Sequence, residues 1–202
     1  MGKINTIQKN GLPYSYATTQ FNLIDMNKKE LRNKIKKLAD EMSEDYITKA
    51  SIEIENKIIN SKEFIQSKTV FAYVSTSREV GTELIIKKAL SMNKTVCVPR
   101  CLDAGNMQAV KINSFEELKP GKYGIPEPVG DEIVDADCID LTVVPCVSAY
   151  VNGARLGHGA GYYDRFLQTY KATKLCPCFK KLLSDEIEMS EYDVYMDAVI
   201  TD

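Results

Sequence analysis

No apolar run approaches the roughly 20 residues that a helix needs to cross a bilayer. The N-terminus shows neither an apolar signal core nor an Arg-rich amphipathic pattern, so a cytoplasmic protein is expected. Net charge is scarce too: 26 basic and 28 acidic residues are interspersed and leave a formal charge of -2. That balance excludes a general basic field of the kind that draws a chain onto nucleic acid or anionic membrane, and any anionic ligand must be held by a local site. Histidine occurs once, as His158, in a glycine-rich segment with no cysteine beside it. Six cysteines, Cys97, Cys101, Cys138, Cys146, Cys176 and Cys178, are too loosely paired for structural zinc. They lie mostly in or beside apolar strand-like runs and read as free thiols. Internal repeats and low-complexity tracts are absent as well, which excludes solenoids and linker-rich arrays.

What is present is an ordinary mixture for one soluble domain. Residues 1 to 25 are polar and aperiodic, with Gly11-Leu12-Pro13 as a breaker, and read as a flexible N-terminal extension. That leaves a single domain over 26 to 202. Asn27 and Glu30 have capping-box spacing, and Leu31, Ile35, Leu38 and Met42 recur at helical intervals, so a helix is predicted over 28 to 41. Ser43 caps a second helix with an Ile47, Ala50, Ile54, Ile58 stripe, which gives an N-terminal helix pair.

From Thr69 to Ser75 a β-branched and aromatic run predicts a strand covered on both faces. A helix capped by Thr82 and running to Met92, then a strand from Thr95 to Pro99, completes a β-α-β unit with parallel strands. Met107 to Ile112, Ile139 to Val144, Lys174 to Phe179 and Ala198 to Thr201 are further strands, and Gly161 to about Tyr170 is a helix. Ser114 starts a helical turn. The prolines and glycines of Lys119 to Pro128 predict a long ordered loop. The succession predicts a three-layer α/β/α fold with a mostly parallel central sheet.

The chemistry concentrates in Asn152-Gly153-Ala154-Arg155-Leu156-Gly157-His158-Gly159-Ala160-Gly161-Tyr162-Tyr163-Asp164-Arg165-Phe166-Leu167. Alternate glycines at 157, 159 and 161 permit positive φ and let bare N–H groups approach phosphate oxygens, and the helix start that follows adds unpaired donors. Arg155 and Arg165 bracket the turn with planar cations suited to phosphate. A tight turn that merely packs strand against helix is the plainer alternative. The spacing is neither the Walker A pattern nor the dinucleotide fingerprint.

That string closely resembles the N-G-x-R-L-G-x-G-x-G-Y-Y-D-R-x-L signature of the 5-formyltetrahydrofolate cyclo-ligases. The resemblance runs in order through Lys28 to Arg32, Tyr73-Val74-Ser75 to Glu79-Val80-Gly81-Thr82, Val98-Pro99-Arg100, Gly124 to Pro128 and Met196 to Thr201. It implies conversion of 5-formyltetrahydrofolate to 5,10-methenyltetrahydrofolate with consumption of ATP, Mg²⁺ as the cofactor, and release of ADP and phosphate. It also implies site residues. ATP would lie on Lys28, Lys29, Glu30, Leu31 and Arg32 and on Arg155, Leu156, Gly157, His158, Gly159, Ala160, Gly161, Tyr162 and Tyr163. Folate would border Thr76, Glu79, Gly81 and His158 to Tyr162. Asp164 and Asp197 match the magnesium ligands, and Arg155, Arg165 and Tyr162 are the candidate catalytic residues.

Each assignment has a blander counterpart: a solvated basic face for Lys28 and Arg32, a helix-start carboxylate for Asp164, a solvent-facing loop acid for Glu79. The sequence departs from the signature at Ala160, where many members have Lys or Gly, and at Gly81, where several have an acid. These departures favour one rival, a catalytically weakened folate- or nucleotide-binding regulator of the same fold. The other is a related α/β enzyme acting on a sugar phosphate or acyl-CoA. Small molecules, 5-formyltetrahydrofolate and ATP, are the expected partners, with no nucleic acid or membrane, and a monomer is expected.

Overall fold

The structure, a computed structural model, describes residues 14–121 and 124–202. The predicted breaker at Gly11-Leu12-Pro13, the rest of 1–13, and Lys122 and Tyr123 lie outside the described residues.

A six-stranded sheet of order β10-β9-β6-β1-β2-β3 organises the molecule. Its strands are β1 (Thr69–Ala72), β2 (Thr95–Cys101), β3 (Met107–Ile112), β6 (Leu141–Val143), β9 (Thr173–Pro177) and β10 (Ala198–Ile200). All neighbours are parallel except β3, which runs antiparallel to β2. Every residue of β1 is buried, so both its faces are covered, as a continuous apolar run requires. Helix α4 (Glu83–Ser91) is the crossover that makes β1 and β2 parallel, with Thr69 level with Thr95. Helix α5 (Tyr162–Leu167) packs on β1 through Phe166 and Tyr163, whose rings lie 5.1 and 6.3 Å from that of Phe71.

Helix α2 (Glu44–Ile59) forms as the sequence predicts: the Ser43 hydroxyl accepts from Tyr46 N at 3.3 Å, and Ala50, Ile54 and Ile58 are buried. It packs against α4, β9 and β10. Helix α1 (Tyr14–Asp40) instead contacts the turn at Lys180–Leu182, so the two consecutive helices have separate partners. Short α3 (Lys62–Gln66) leads into β1.

Four local expectations are corrected. α1 begins at Tyr14 rather than 28, so 14–25 is helical backbone, and Asn27, placed mid-helix, points its amide at Glu188 3.5 Å away instead of capping. Thr82 does not cap α4. Its hydroxyl donates to Tyr73 O at 2.7 Å, and the α4 amide of Leu84 is taken by the carboxylate of Glu55, 2.9 Å away on α2. The predicted proline-rich loop contains a two-stranded ribbon, β4 (Leu118–Pro120) with β5 (Pro126–Pro128). A ribbon of two strands has only edges, where a proline sacrifices no ladder bond. A second such ribbon, β7 (Ser148–Ala149) with β8 (Arg155–Leu156), carries the chain into the glycine segment.

Candidate active site

Parallel strands leave their carboxyl ends pointing the same way, and open α/β sheets bind ligands beyond those ends. Here the residues that follow β1 (Tyr73, Val74) and β6 (Pro145), with Pro99 and Cys101 of β2, floor a cleft of about 980 Å³. One wall is the segment from Arg155 to Arg165. The others are Lys28 and Arg32 of α1, Thr76 and Glu79 of the loop after β1, and Ser190, Tyr192 and Asp193 near the C-terminus.

The glycine segment is shaped for close approach. Gly159 and Gly161 have φ of +101° and +70°. A Cβ on Gly159 would lie 3.3 Å from the Arg32 guanidinium carbon, and one on Gly161 2.9 Å from Arg165 Nη1. Gly157 does not have positive φ, contrary to expectation; its place is dictated by Arg155 Nη1, 3.2 Å from where a Cβ would stand. Side chains hold the loop by its carbonyls: Arg32 Nε donates to Gly157 O at 2.8 Å and Arg165 Nη2 to Ala160 O at 2.5 Å. Among the described residues, no backbone carbonyl accepts from the amides of His158, Gly159, Ala160 or Gly161. With the carbonyls of Gly157, Ala160 and Gly161 occupied and these amides uncommitted, the loop is a nest of donors. The helix that follows has only six residues, so its dipole adds little to the donors of the loop.

Beneath the loop lies Arg155, 4% exposed. It donates to Pro145 O at 3.1 Å and to Asp164 Oδ1 at 2.7 Å, and it stacks 6.0 Å from the Tyr163 ring centre. Among the described residues, its Nε and the Tyr163 hydroxyl are buried without partners, and both residues line the cleft. Buried polar atoms are almost always hydrogen-bonded, so two orphans in one cleft wall set this wall apart from the rest of the core. Burial pushes the Tyr163 hydroxyl far above its ordinary pKa and keeps it a neutral donor.

Two carboxylates are tightly held. Burial raises the pKa of Glu79, but hydrogen bonds from His158 (3.1 Å) and from Thr76 N and Oγ1 (2.8 Å each) outweigh it, and the carboxyl stays below its ordinary value. Asp193 behaves likewise: burial is outweighed by the ion pair with Lys28 and by Ser190 N and Oγ, each at 2.6 Å. Its neighbour Val194 donates its amide to Asp164 at 3.3 Å.

Lys28, Arg32, Thr76, Glu79, Arg155 to Tyr163, Asp164 and Arg165 therefore converge as the sequence suggests. Lys29 and Glu30 face solvent on another side of α1, and Leu31 is in the core, because consecutive helical residues point 100° apart. Gly81 is turned away: a Cβ there would meet the Glu55 carboxylate at 3.1 Å. Asp197 is also outside the cleft, its carboxylate tied to Lys174 N at 2.7 Å and Nζ at 3.0 Å. The aspartate that does reach the cleft from this end of the chain is Asp193, which the sequence reading missed. Its only signal is tertiary, the ion pair with Lys28. Among the described residues, no group of three or more His, Cys, Asp or Glu side chains could hold a metal by itself.

The family model for the 5-formyltetrahydrofolate cyclo-ligase family matches residues 24–202. A Caenorhabditis elegans protein named "Probable 5-formyltetrahydrofolate cyclo-ligase" is 35% identical over 188 residues, covering 86% of this chain and 91% of its own. The Mus musculus 5-formyltetrahydrofolate cyclo-ligase is 28% identical, covering 88% and 94%. The solved structure of Aquifex aeolicus 5,10-methenyltetrahydrofolate synthetase superimposes with a TM-score of 0.76 at 28% identity, covering 86% and 88%. With its fold, its glycine segment and nearly its whole length accounted for, the chain belongs to the 5-formyltetrahydrofolate cyclo-ligase family.

Proposed function

We propose that this enzyme uses MgATP to cyclise 5-formyltetrahydrofolate to 5,10-methenyltetrahydrofolate, releasing ADP and phosphate. The observation that carries the reading is the buried Arg155, with an unpartnered Nε beneath a loop of uncommitted amides. An N-formyl amide is a poor electrophile. Transfer of the terminal phosphoryl group to the formyl oxygen makes its carbon attackable by the substrate's own N10, and loss of phosphate leaves the cationic ring. Such a reaction needs no protein nucleophile, and positioning with charge stabilisation suffices. The amides of 158–161, with Arg155, Arg32 and Arg165, receive phosphate charge. Glu79, pinned by Thr76 and His158, faces the folate side.

Mg²⁺ takes one or two carboxylates plus phosphates and water, which suits a cleft whose described residues form no three-ligand protein cluster. When bound it neutralises phosphate charge. Asp164 and Asp193, joined through Val194, are the carboxylates suited to hold it, in place of the expected Asp164 and Asp197. The regulator reading loses one of its two supports, because position 81 faces α2 and not the cleft. With near-zero net charge and no described helix long and apolar enough to cross a membrane, its partners are taken to be small molecules.

The test is direct. Purified protein with 5-formyltetrahydrofolate and MgATP should develop the near-ultraviolet absorbance of the methenyl product. A signal that does not depend on both ATP and folate overturns the proposal.

A further inference from the structure

Three of the six thiols meet beneath the cleft floor. Cys146 follows Pro145 at the end of β6, and Cys176 and Cys178 flank Pro177 at the end of β9. The parallel register pairs Val143 with Leu175, and Val144 N still donates to Leu175 O at 2.8 Å. Carried on by three residues, this register sets Cys146 level with Cys178, and strand alternation puts Cys176 on the same side. The side-chain geometry agrees: Cys146 Sγ lies 3.4 Å from the carbonyl of Pro177, the residue between the other two thiols. Neighbouring strands are about 4.8 Å apart, within the Cα span a disulfide accepts. Cys176 and Cys178 are buried, whereas Cys146 is only half-buried and is the least enclosed of the three residues.

We propose that Cys146 and Cys178 form a reversible disulfide under peroxide, and that this bond loosens Arg155 in the cleft above. In the first step the Cys146 sulfur attacks a peroxide oxygen, the O–O bond breaks, and sulfenic acid and one water result. In the second, Cys178 attacks the sulfenic sulfur, the S–S bond forms and a second water leaves. The two sulfurs lose two electrons and the peroxide oxygens gain them. The neighbouring thiols of Cys176 and Cys178, together with burial, hold the Cys146 thiol well above its ordinary pKa, so the site responds slowly and faster as pH rises.

The coupling to the cleft is one residue long. Pro145 O accepts from Arg155 Nη1, and drawing Cys146 toward Cys178 moves that carbonyl. The loss of nucleotide affinity rests on the proposed function; the bond itself does not.

Full-length protein is treated with hydrogen peroxide, alkylated and mapped by mass spectrometry, alongside Cys176→Ser, Cys178→Ser and Cys146→Ser variants with normal melting curves. The expected result is a linked peptide pair holding Cys146 and Cys178. It should persist in Cys176→Ser, vanish in both other variants and disappear on dithiothreitol. Oxidised wild type should bind a non-hydrolysable ATP analogue about tenfold more weakly, the worth of one hydrogen bond to a charged group. Reduced protein and oxidised Cys178→Ser should not weaken. Absence of the bond, or a bond that omits either thiol, overturns the proposal, and a bond with unchanged affinity overturns its link to Arg155. Reduced protein that binds no nucleotide defeats the functional reading instead, while the peptide map still decides the disulfide.

Discussion

Two walls of the cleft are built on opposite plans. The loop from Tyr73 to Thr82 spends its polar groups internally: Tyr73 Oη donates to Val80 O at 2.7 Å, Ser75 and Thr82 exchange hydrogen bonds, and Thr76 takes one oxygen of Glu79 twice. Helix α2 braces it from behind through Ser51, which accepts from Gly81 N at 3.1 Å, and Glu55. The wall from Arg155 to Arg165 leaves the amides of 158–161 without a backbone acceptor among the described residues, while the carbonyls of Gly157 and Ala160 are tied down. A rigid, satisfied wall suits recognition of shape and of a few polar groups. A wall of free amides and a buried cation suits an anion whose charge changes during reaction.

The largest effect should follow from Arg155→Ala, which removes the buried cation. A fall in kcat/KM of about 10²–10³ is expected, the loss typical of one preorganised donor, and steady-state kinetics check it. If folate turnover falls less than tenfold, the charge is handled elsewhere and the contrast between the walls is broken. Gly159→Val comes next. It forces a β-branched residue to φ +101° and drives its side chain toward Arg32, so calorimetric titration should show ATP-analogue binding lost while the melting curve stays near wild type.

A sharper probe separates two aspartates. Asp193→Asn should raise the KM for MgATP about tenfold, because it weakens a charged hydrogen-bond partner of Lys28 and a proposed magnesium ligand. Asp197→Asn should change it by less than about twofold, as a partly exposed pair with Lys174 is worth little. The reverse order would restore Asp197 to the site.

The smallest effect is a pH dependence. The folded pKa of Asp193 is depressed, so its contribution to stability is fully present above the unfolded value of about 3.9 and is lost as pH falls toward the folded one. The difference in Tm between wild type and Asp193→Asn should hold level from about pH 5 to 8 and shrink below about pH 4. A difference that grows on acidification would contradict the depressed pKa.

Much of this was legible locally. The β1 run, the Ser43 cap and the alternation of Gly159 and Gly161 each depend on neighbours a few residues away, and each appears where the sequence puts it. Misreadings came where the deciding partner is remote. Thr82 has the right chemistry for a cap, yet Glu55 from α2 takes that role and frees the threonine to tie the loop to Tyr73. Asp193 and Asp197 lie four residues apart, and nothing in their local setting says which carboxylate meets Lys28, 165 positions away.

By itself the sequence determined the α/β order of the main elements and the glycine-rich turn, because periodicity and glycine spacing are short-range properties of the chain, and its resemblance to a known signature pointed to the family. Only the tertiary structure decided which residues of those segments share the cleft. It turned Leu31 and Gly81 inward or away, exposed Lys29, exchanged Asp197 for Asp193, and left Arg155 Nε buried without a partner. The reason is geometric: a helix or strand fixes the direction of each side chain relative to its neighbours, but only the packing of elements far apart in sequence fixes what that direction faces.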